Sequence, residues 1–360
     1  MIISEKRLEQ ALEKKQEIKK DKPKICLVTG GAGFIGSHLC DELVKRGYAI
    51  YIVDNLSQGK PENIEHLMHI KNFRFFHFDI TSDEFFLWLK KIKADYVFHL
   101  ASPVGVPIVM QTDAKYFKRH YEASKRLFNW ALKQGAALFF ASTSEVYGNP
   151  MTQETLSENQ AKDVEWFLDK GDRYRYGFLK RGLEILLESY DLNDLSNENT
   201  EKQPSITIGR FFNVFGPRQN PEMGMVIPRF VDAALKNEAL TILGTGSEVR
   251  SFCPVSVATQ AILDAVLEPK EAFQILNIGS SEQIQISELA QLIKKLANST
   301  SSIVHLNAEK ESGRNEAIHT RIPDISVLKH IQGNVKEEDW IEYLRSWIQS
   351  EKNLLNEYNK

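Results

Sequence analysis

From Lys24 onward, short apolar runs alternate with longer stretches of helical spacing. KICLVT, AIYIVD, FRFFHFD, DYVFHL, ALFFAS and SITIGR are rich in β-branched and aromatic side chains, which favour strands. Helical patterns fill the intervals at about 61–70, 83–93, 113–134 and 174–190. SHLCDELVKRG is another, with Leu39 and Leu43 turned inward and Gly47 after its end. Strands alternating with helices imply βαβ units, and so an α/β fold on a doubly wound parallel sheet. After residue 216 the pattern loosens. GPRQNPEMG is turn-rich, VIPRFVDAALKN and ISELAQLIKKLA read as helices, and LTILGTG and FQILNIG as strands.

The expected division has three parts: a helical extension over 1–23, the main sheet over 24–216 with a return segment at about 252–279, and a smaller discontinuous part from 217–251 and 280–350. The smaller part should close a substrate pocket over the carboxyl ends of the strands, where open α/β sheets bind ligands. Leu8, Ala11, Leu12 and Ile18 give the extension an amphipathic face, and the polar stretch 191–204 reads as a surface loop.

Composition narrows the function classes. Hydrophobic residues make up 42% and charged residues 26%, as in globular chains. The 45 basic and 48 acidic residues leave a net charge of -3, which argues against a nucleic-acid partner. Cys26, Cys40 and Cys253 have no metal-ligand spacing and read as neutral thiols of a reducing compartment, with no metal expected. No apolar run approaches the ~20 residues of a membrane span, and the charged N-terminus lacks the apolar core of a signal peptide. A cytoplasmic location is expected.

Gly30-Gly31-Ala32-Gly33-Phe34-Ile35-Gly36 follows an apolar strand and opens a helix. Gly30, Gly33 and Gly36 fit a tight turn that lets backbone approach a pyrophosphate, with the helix N-terminus offering its N–H groups to that anion. Asp54 ends the next strand, 18 residues beyond Gly36. A carboxylate there accepts bonds from ribose hydroxyls and repels a 2′-phosphate, so the Rossmann-type sheet should bind NAD in preference to NADP. Asp79 in FDI either caps the following segment or meets the adenine amine. His99, Leu100, Ala101 and Ser102 close the fourth strand, beside the expected nicotinamide half.

Tyr176 and Lys180 stand at i and i+4, on one helix face. A cation one turn away favours phenolate, which would make Tyr176 a usable base. These residues, with VTGGAGFIGSHL, VDN, HLASPVGV, ASTSEVYG, RFFNVFGPRQ, GMVIPRF, LTILGTGSEVRSF, LNIGS and RIPDIS, resemble the extended short-chain dehydrogenase/reductase family. The resemblance runs from about Lys24 to about Trp347 and points to the NAD-dependent nucleotide-sugar epimerase, dehydratase and decarboxylase branch. STSEVYG, GPRQ, GMVIPRF and RSF are most similar to the UDP-glucuronate decarboxylases.

The resemblance implies roles. Thr143 and Tyr176 would share the C4 hydroxyl of the sugar, with Lys180 binding the cofactor ribose. Ser144 and Glu145 would lie beside C5 and C6. Phe34, Ile35, Asn55 and Ile80 would join the cofactor contacts, and Val104 the substrate contacts. Asn213 and Arg250 would meet the nucleotide diphosphate, with Arg321 a further diphosphate or uridine contact. Oxidation at C4 would come first in every case. Serine at 144, where the 4,6-dehydratases carry Asp, removes the usual acid for water elimination and favours decarboxylation. Dehydration (4,6 or 5,6) and 4-epimerisation follow, and a non-catalytic NAD or nucleotide-sugar binder is the reading outside enzymes. The helices at 113–134 and 174–190 would form a homodimer interface.

The chain departs from the family pattern in places. His120 stands where the family has Asn, and Ser256 and Val257 where it has Asp, with Ser256 expected to cap the next helix. Phe178 and Leu179 are bulky and are expected to reshape the pocket. Residues 151–175 match nothing in the pattern and are expected to lie over the sugar.

Overall fold

The computed structural model describes residues 22–104, 113–149, 155–168, 174–192, 203–307, 320–333 and 338–358. The helix expected near the N-terminus and most of the loop at 191–204 lie outside them. The main-sheet elements are β1 (Ile25–Thr29), α1 (Phe34–Lys45), β2 (Ala49–Asp54), β3 (Phe73–His77), α2 (Asp83–Leu89), β4 (Tyr96–His99), α3 (Ala114–Lys133), β5 (Ala137–Thr143), α4 (Val164–Leu168), α5 (Arg175–Glu188) and β6 (Ser205–Phe211). Then come β7 (Val214–Phe215), α6 (Val226–Leu235), β8 (Leu240–Leu243), β9 (Val249–Ser251), β10 (Cys253–Pro254), α7 (Val255–Leu267) and β11 (Phe273–Ile278). The chain closes with β12 (Gln283–Gln285), α8 (Ile286–Leu296), β13 (Ile303–Leu306), β14 (Thr320–Arg321), α9 (Ser326–Gln332) and α10 (Trp340–Tyr358).

Seven strands form one sheet in the order β11-β6-β5-β4-β1-β2-β3, every pair parallel. A central parallel strand is covered on both faces, so its residues are apolar without alternation. β1 shows this, with Cys26, Leu27 and Val28 all fully buried. One face packs Leu39, Leu43, Ala258, Ile262 and Leu328, from α1, α7 and α9. The other packs Phe85, Leu127, Phe128, Leu183 and Leu187, from α2, α3 and α5. The chain leaves β1 toward β3 and returns on β1's other side as β4, so a crevice opens at the carboxyl ends of β1 and β4.

A separate core joins Phe230, Leu289, Ile293, Trp340, Leu344 and Trp347, from α6, α8 and α10. Two short sheets accompany it, β12-β9-β14 and β13-β8. The expected helix at 61–70 is instead two 3-10 turns, Pro61–Asn63 and Glu65–Leu67. Ser256 does not cap α7, which begins at Val255 after Pro254; its hydroxyl donates to Glu338 at 2.5 Å. Among the described residues, no helix is long and apolar enough to cross a membrane.

Candidate active site

The crevice holds a cleft of about 770 Å³. Its floor at one end is the glycine turn. Gly30 takes φ +74, and a Cβ there would lie 2.8 Å from the Ala101 nitrogen, so only glycine lets the turn lie against the end of β4. A Cβ on Gly36 would run into the Gly30 carbonyl and approach the Gly31 Cα to 2.9 Å. Gly33 stands at the N-cap of α1 with no side chain to cap it, which leaves the helix's first N–H groups available to an anion. Phe34 and Ile35 complete this wall.

Asp54 closes β2 at the same end. Its carboxylate accepts from the Ala32 N–H at 3.0 Å and the Leu56 N–H at 2.8 Å. Each oxygen keeps a second lone pair for a ribose hydroxyl. Burial pushes its pKa up, with those two N–H groups opposing. Asn55, Ile80, Leu100, Ala101, Ser102 and Val104 also line the cleft. Asp79 does not. Its carboxylate takes the Thr81 N–H and hydroxyl, each at 2.7 Å, and the Asn55 amide at 3.0 Å. Burial raises its pKa, but these donors outweigh that and hold it low. Of the two sequence readings, the cap describes its bonding.

The other end is assembled from side chains. Thr143 ends β5 and accepts from the Glu145 N–H at 3.3 Å, starting the 3-10 turn Ser144–Tyr147 that carries Ser144 and Glu145. α5 passes close behind: a Cβ on Gly177 would lie 3.1 Å from the Glu145 carbonyl. That approach sets Tyr176 and Lys180 beside the turn, and both line the cleft. Asn213, Arg250 and Arg321 line it too. The Asn213 amide donates to the Ser251 carbonyl at 2.9 Å. Arg250 and Arg321 lie side by side across the β9–β14 pairing. Arg321 Nη2 donates to the Gly148 carbonyl at 2.7 Å, which anchors its guanidinium at the end of the Glu145 turn.

Residues 26–279 match the NAD dependent epimerase/dehydratase family. The chain belongs to this family. It is 36% identical to the UDP-N-acetyl-alpha-D-glucosaminuronate decarboxylase of Bacillus cytotoxicus over 91% of this chain and 97% of that one. It is 34% identical to UDP-glucuronic acid decarboxylase 1 of Danio rerio, over 87% of this chain and 69% of that one. Among solved structures, UDP-glucose 4-epimerase of Thermotoga maritima with UDP-glucose superposes at a TM-score of 0.76 with 28% identity, covering 92% of this chain and 99% of that one. NAD is the cofactor of this epimerase/dehydratase chain, and the glycine turn and Asp54 fit it: the turn leaves room that a Cβ would fill, and the carboxylate faces the same cleft.

The charges at the reaction end differ from the sequence expectation. Lys180 is buried and donates to the Ala141 carbonyl at 2.6 Å, with its Nζ 5.7 Å from the Tyr176 ring centre. Burial lowers its pKa to about 7, against the pull of Glu184. Burial drives the Tyr176 phenol well above its ordinary value; the Glu145 carboxylate adds to this, and a hydrogen bond with Ser102 opposes it. The expected lowering of Tyr176 by Lys180 is therefore not what this arrangement produces, because burial of the phenol dominates.

Four departures from the family pattern are also placed. His120 is buried, lines the cleft, and meets the Tyr116 ring tilted at 47°, with centroids 4.4 Å apart. Phe178 points outward and Leu179 enters the core, so neither reshapes the pocket. Of residues 151–175, those described pack behind the turn rather than over the cleft. A Cβ on Gly148 would strike Trp166 at 2.8 Å, and one on Gly177 would strike Phe167 at 2.7 Å. Sequence reasoning missed Arg218, which lines the cleft and pairs with Asp41 at 2.8 Å. GPRQ reads as a turn and a family marker, and a pairing 177 residues away leaves no local trace.

Proposed function

We propose that this chain is a UDP-glycuronate decarboxylase, acting on a UDP-sugar whose C6 is a carboxylate. The observation that carries the reading is the Thr143-Ser144-Glu145 turn with the Arg321 guanidinium anchored beside it. The pair of relatives supports the same reading. Their named substrates share the uridine diphosphate and the C6 carboxylate and differ at C2.

The chemistry follows from a ketone at C4. Bound NAD supplies a reversible hydride acceptor for that carbon. Tyr176 takes the C4 hydroxyl proton, with Thr143 sharing that hydroxyl. The C6 carboxylate is then β to a ketone. The C5–C6 bond breaks, its electron pair enters the C4 carbonyl as an enolate, and CO2 leaves. C5 takes a proton, and C4 is reduced again. Arg321 suits the carboxylate, since a guanidinium pairs with it through two hydrogen bonds. Glu145 suits the proton delivery at C5. Ser144 is a poor acid for expelling hydroxide, which disfavours dehydration.

The test is incubation with UDP-glucuronate and with UDP-N-acetylglucosaminuronate, with analysis of the nucleotide product and of CO2. Release of CO2 with a UDP-pentose or its 2-acetamido counterpart is expected. A C4 epimer that keeps its carboxylate, or a 4-keto-6-deoxy sugar made from UDP-glucose, would overturn the reading.

A further inference from the structure

Behind the cleft, and lining none of it, runs a chain of polar side chains with almost no exposure: Glu184 and Asn277 at 0%, Tyr147 and Arg210 at 1%. Groups so buried are stable only when bonded to one another. Apolar residues of equal volume often serve stability as well, so bonding alone does not account for the arrangement.

The network has two arms. In the inner arm, Arg210 Nε and Nη2 each donate to Glu184 at 2.9 Å, and Ser142 Oγ donates to the same carboxylate at 2.5 Å. Glu184 lies one turn after Lys180, so this arm clamps α5 to β5 and β6. In the outer arm, the Tyr147 hydroxyl donates to Asn277 Oδ1 at 2.6 Å. Asn277 Nδ2 donates to the carbonyls of Leu156 at 2.8 Å and Asp324 at 3.0 Å. Leu156 in turn exchanges backbone bonds with the segment after Arg321: its N–H donates to the Ile322 carbonyl at 2.8 Å, and its carbonyl accepts from the Asp324 N–H at 2.9 Å. The arms meet at the Tyr147 hydroxyl, which accepts from Arg210 Nη1 at 3.1 Å, and at Glu158, whose carbonyl accepts from Arg210 Nη1 at 2.5 Å and whose carboxylate accepts from the Asn277 N–H at 2.9 Å. Tyr147 also ends the turn that bears Glu145.

We propose that Tyr147 and Asn277 are positioning residues for the decarboxylation half of the reaction, holding the Arg321 segment in register with the Glu145 turn. The proposal rests on the decarboxylase reading above. Cutting the outer arm leaves the Arg210–Glu184 clamp whole, so Tyr176 and Lys180 keep their places and C4 oxidation proceeds. Arg321 loses its register, and loss of CO2 slows.

The experiment mixes enzyme with a UDP-glycuronate and follows two signals: absorbance of the reduced cofactor and release of CO2. The variants are Tyr147→Phe, a mild change, and Asn277→Ala, which removes both carbonyl contacts. NAD affinity and thermal midpoint report whether each is folded. In both variants, oxidation at close to the wild-type rate and CO2 release slower by ~10–100-fold are expected, so reduced cofactor accumulates. A purely structural role would slow both steps together, and that outcome overturns the proposal, as does wild-type behaviour in Tyr147→Phe. Wild-type enzyme that oxidises without releasing CO2 removes the decarboxylase reading and this proposal together. Wild-type decarboxylation with unaltered partition in the variants removes this proposal alone.

Discussion

At the nucleotide end of the cleft, residues of the short Gly30–Gly36 stretch and the pair Asp54 and Asn55 form the wall; at the reaction end, Ser102, the Thr143–Glu145 turn, the Tyr176 and Lys180 pair of α5, and Arg321 come from separate elements. The first end works through backbone: glycines that permit approach and an uncapped helix N-terminus. The second works through side chains held by partners far away in sequence, such as Glu145 beside Gly177 and Arg321 against Gly148. The two ends should therefore fail differently. Damage to a backbone cradle weakens cofactor binding, while loss of a side chain stops chemistry on a cofactor still held.

The largest effect should come from the reaction end. Tyr176→Phe removes one oxygen from a partly buried ring and leaves the glycine turn untouched. Positioned acid–base groups contribute ~10²–10⁴-fold, so a loss of that size in kcat is expected with NAD affinity unchanged. Steady-state rates and a fluorescence titration of NAD check both halves. Equal loss in binding and rate would erase the distinction between the ends.

The converse change is Gly36→Ala. The added Cβ meets the Gly30 carbonyl and the Gly31 Cα, both backbone, so the turn must shift. Overpacking costs ~1–3 kcal/mol, and each ~1.4 kcal/mol is tenfold in affinity. NAD should bind roughly 5–100-fold more weakly, with turnover near wild type once the cofactor saturates. A variant that binds NAD normally would show that the close approach carries no function.

The same contrast explains how far the sequence could be read. The glycine turn and Asp54 were legible because a backbone cradle forbids side chains at fixed, neighbouring positions, and a strand before and a helix after give it context. Six strands of the main sheet were legible as apolar runs, and the seventh, Phe273–Ile278, as a return segment. β9, β12 and β14, of two or three residues each, are too short for any alternation to show. Tyr176 and Lys180 were legible as a pair, yet their charges were not. Which partner Lys180 takes depends on the end of β5, and no spacing along the helix reports that the Ala141 carbonyl lies within reach. The Tyr147–Asn277 bond spans 130 residues and is invisible before folding.

The smallest expected effect tests how the reaction end treats charge. His120 is enclosed on α3, facing Tyr116, Asp79, Lys180 and Arg119. Burial lowers its pKa from 6.5 to about 4; the Asp79 carboxylate opposes this, and Lys180 and Arg119 reinforce it. The unfolded chain binds a proton there below pH 6.5, while the folded chain refuses it until about 4. More protons on the unfolded state mean that stability falls as pH drops through that window, and above it both forms are neutral and nothing is lost. The slope reaches ~1.4 kcal/mol per pH unit. His120→Asn keeps a polar side chain of similar reach and removes the titration. Between pH 7 and pH 5 its thermal midpoint should fall less than the wild type's by roughly 2 °C. Identical acid sensitivity in the two proteins would mean that His120 takes up its proton in the fold. The reaction end would then tolerate an extra buried cation beside Lys180, contrary to the lysine's own depressed pKa.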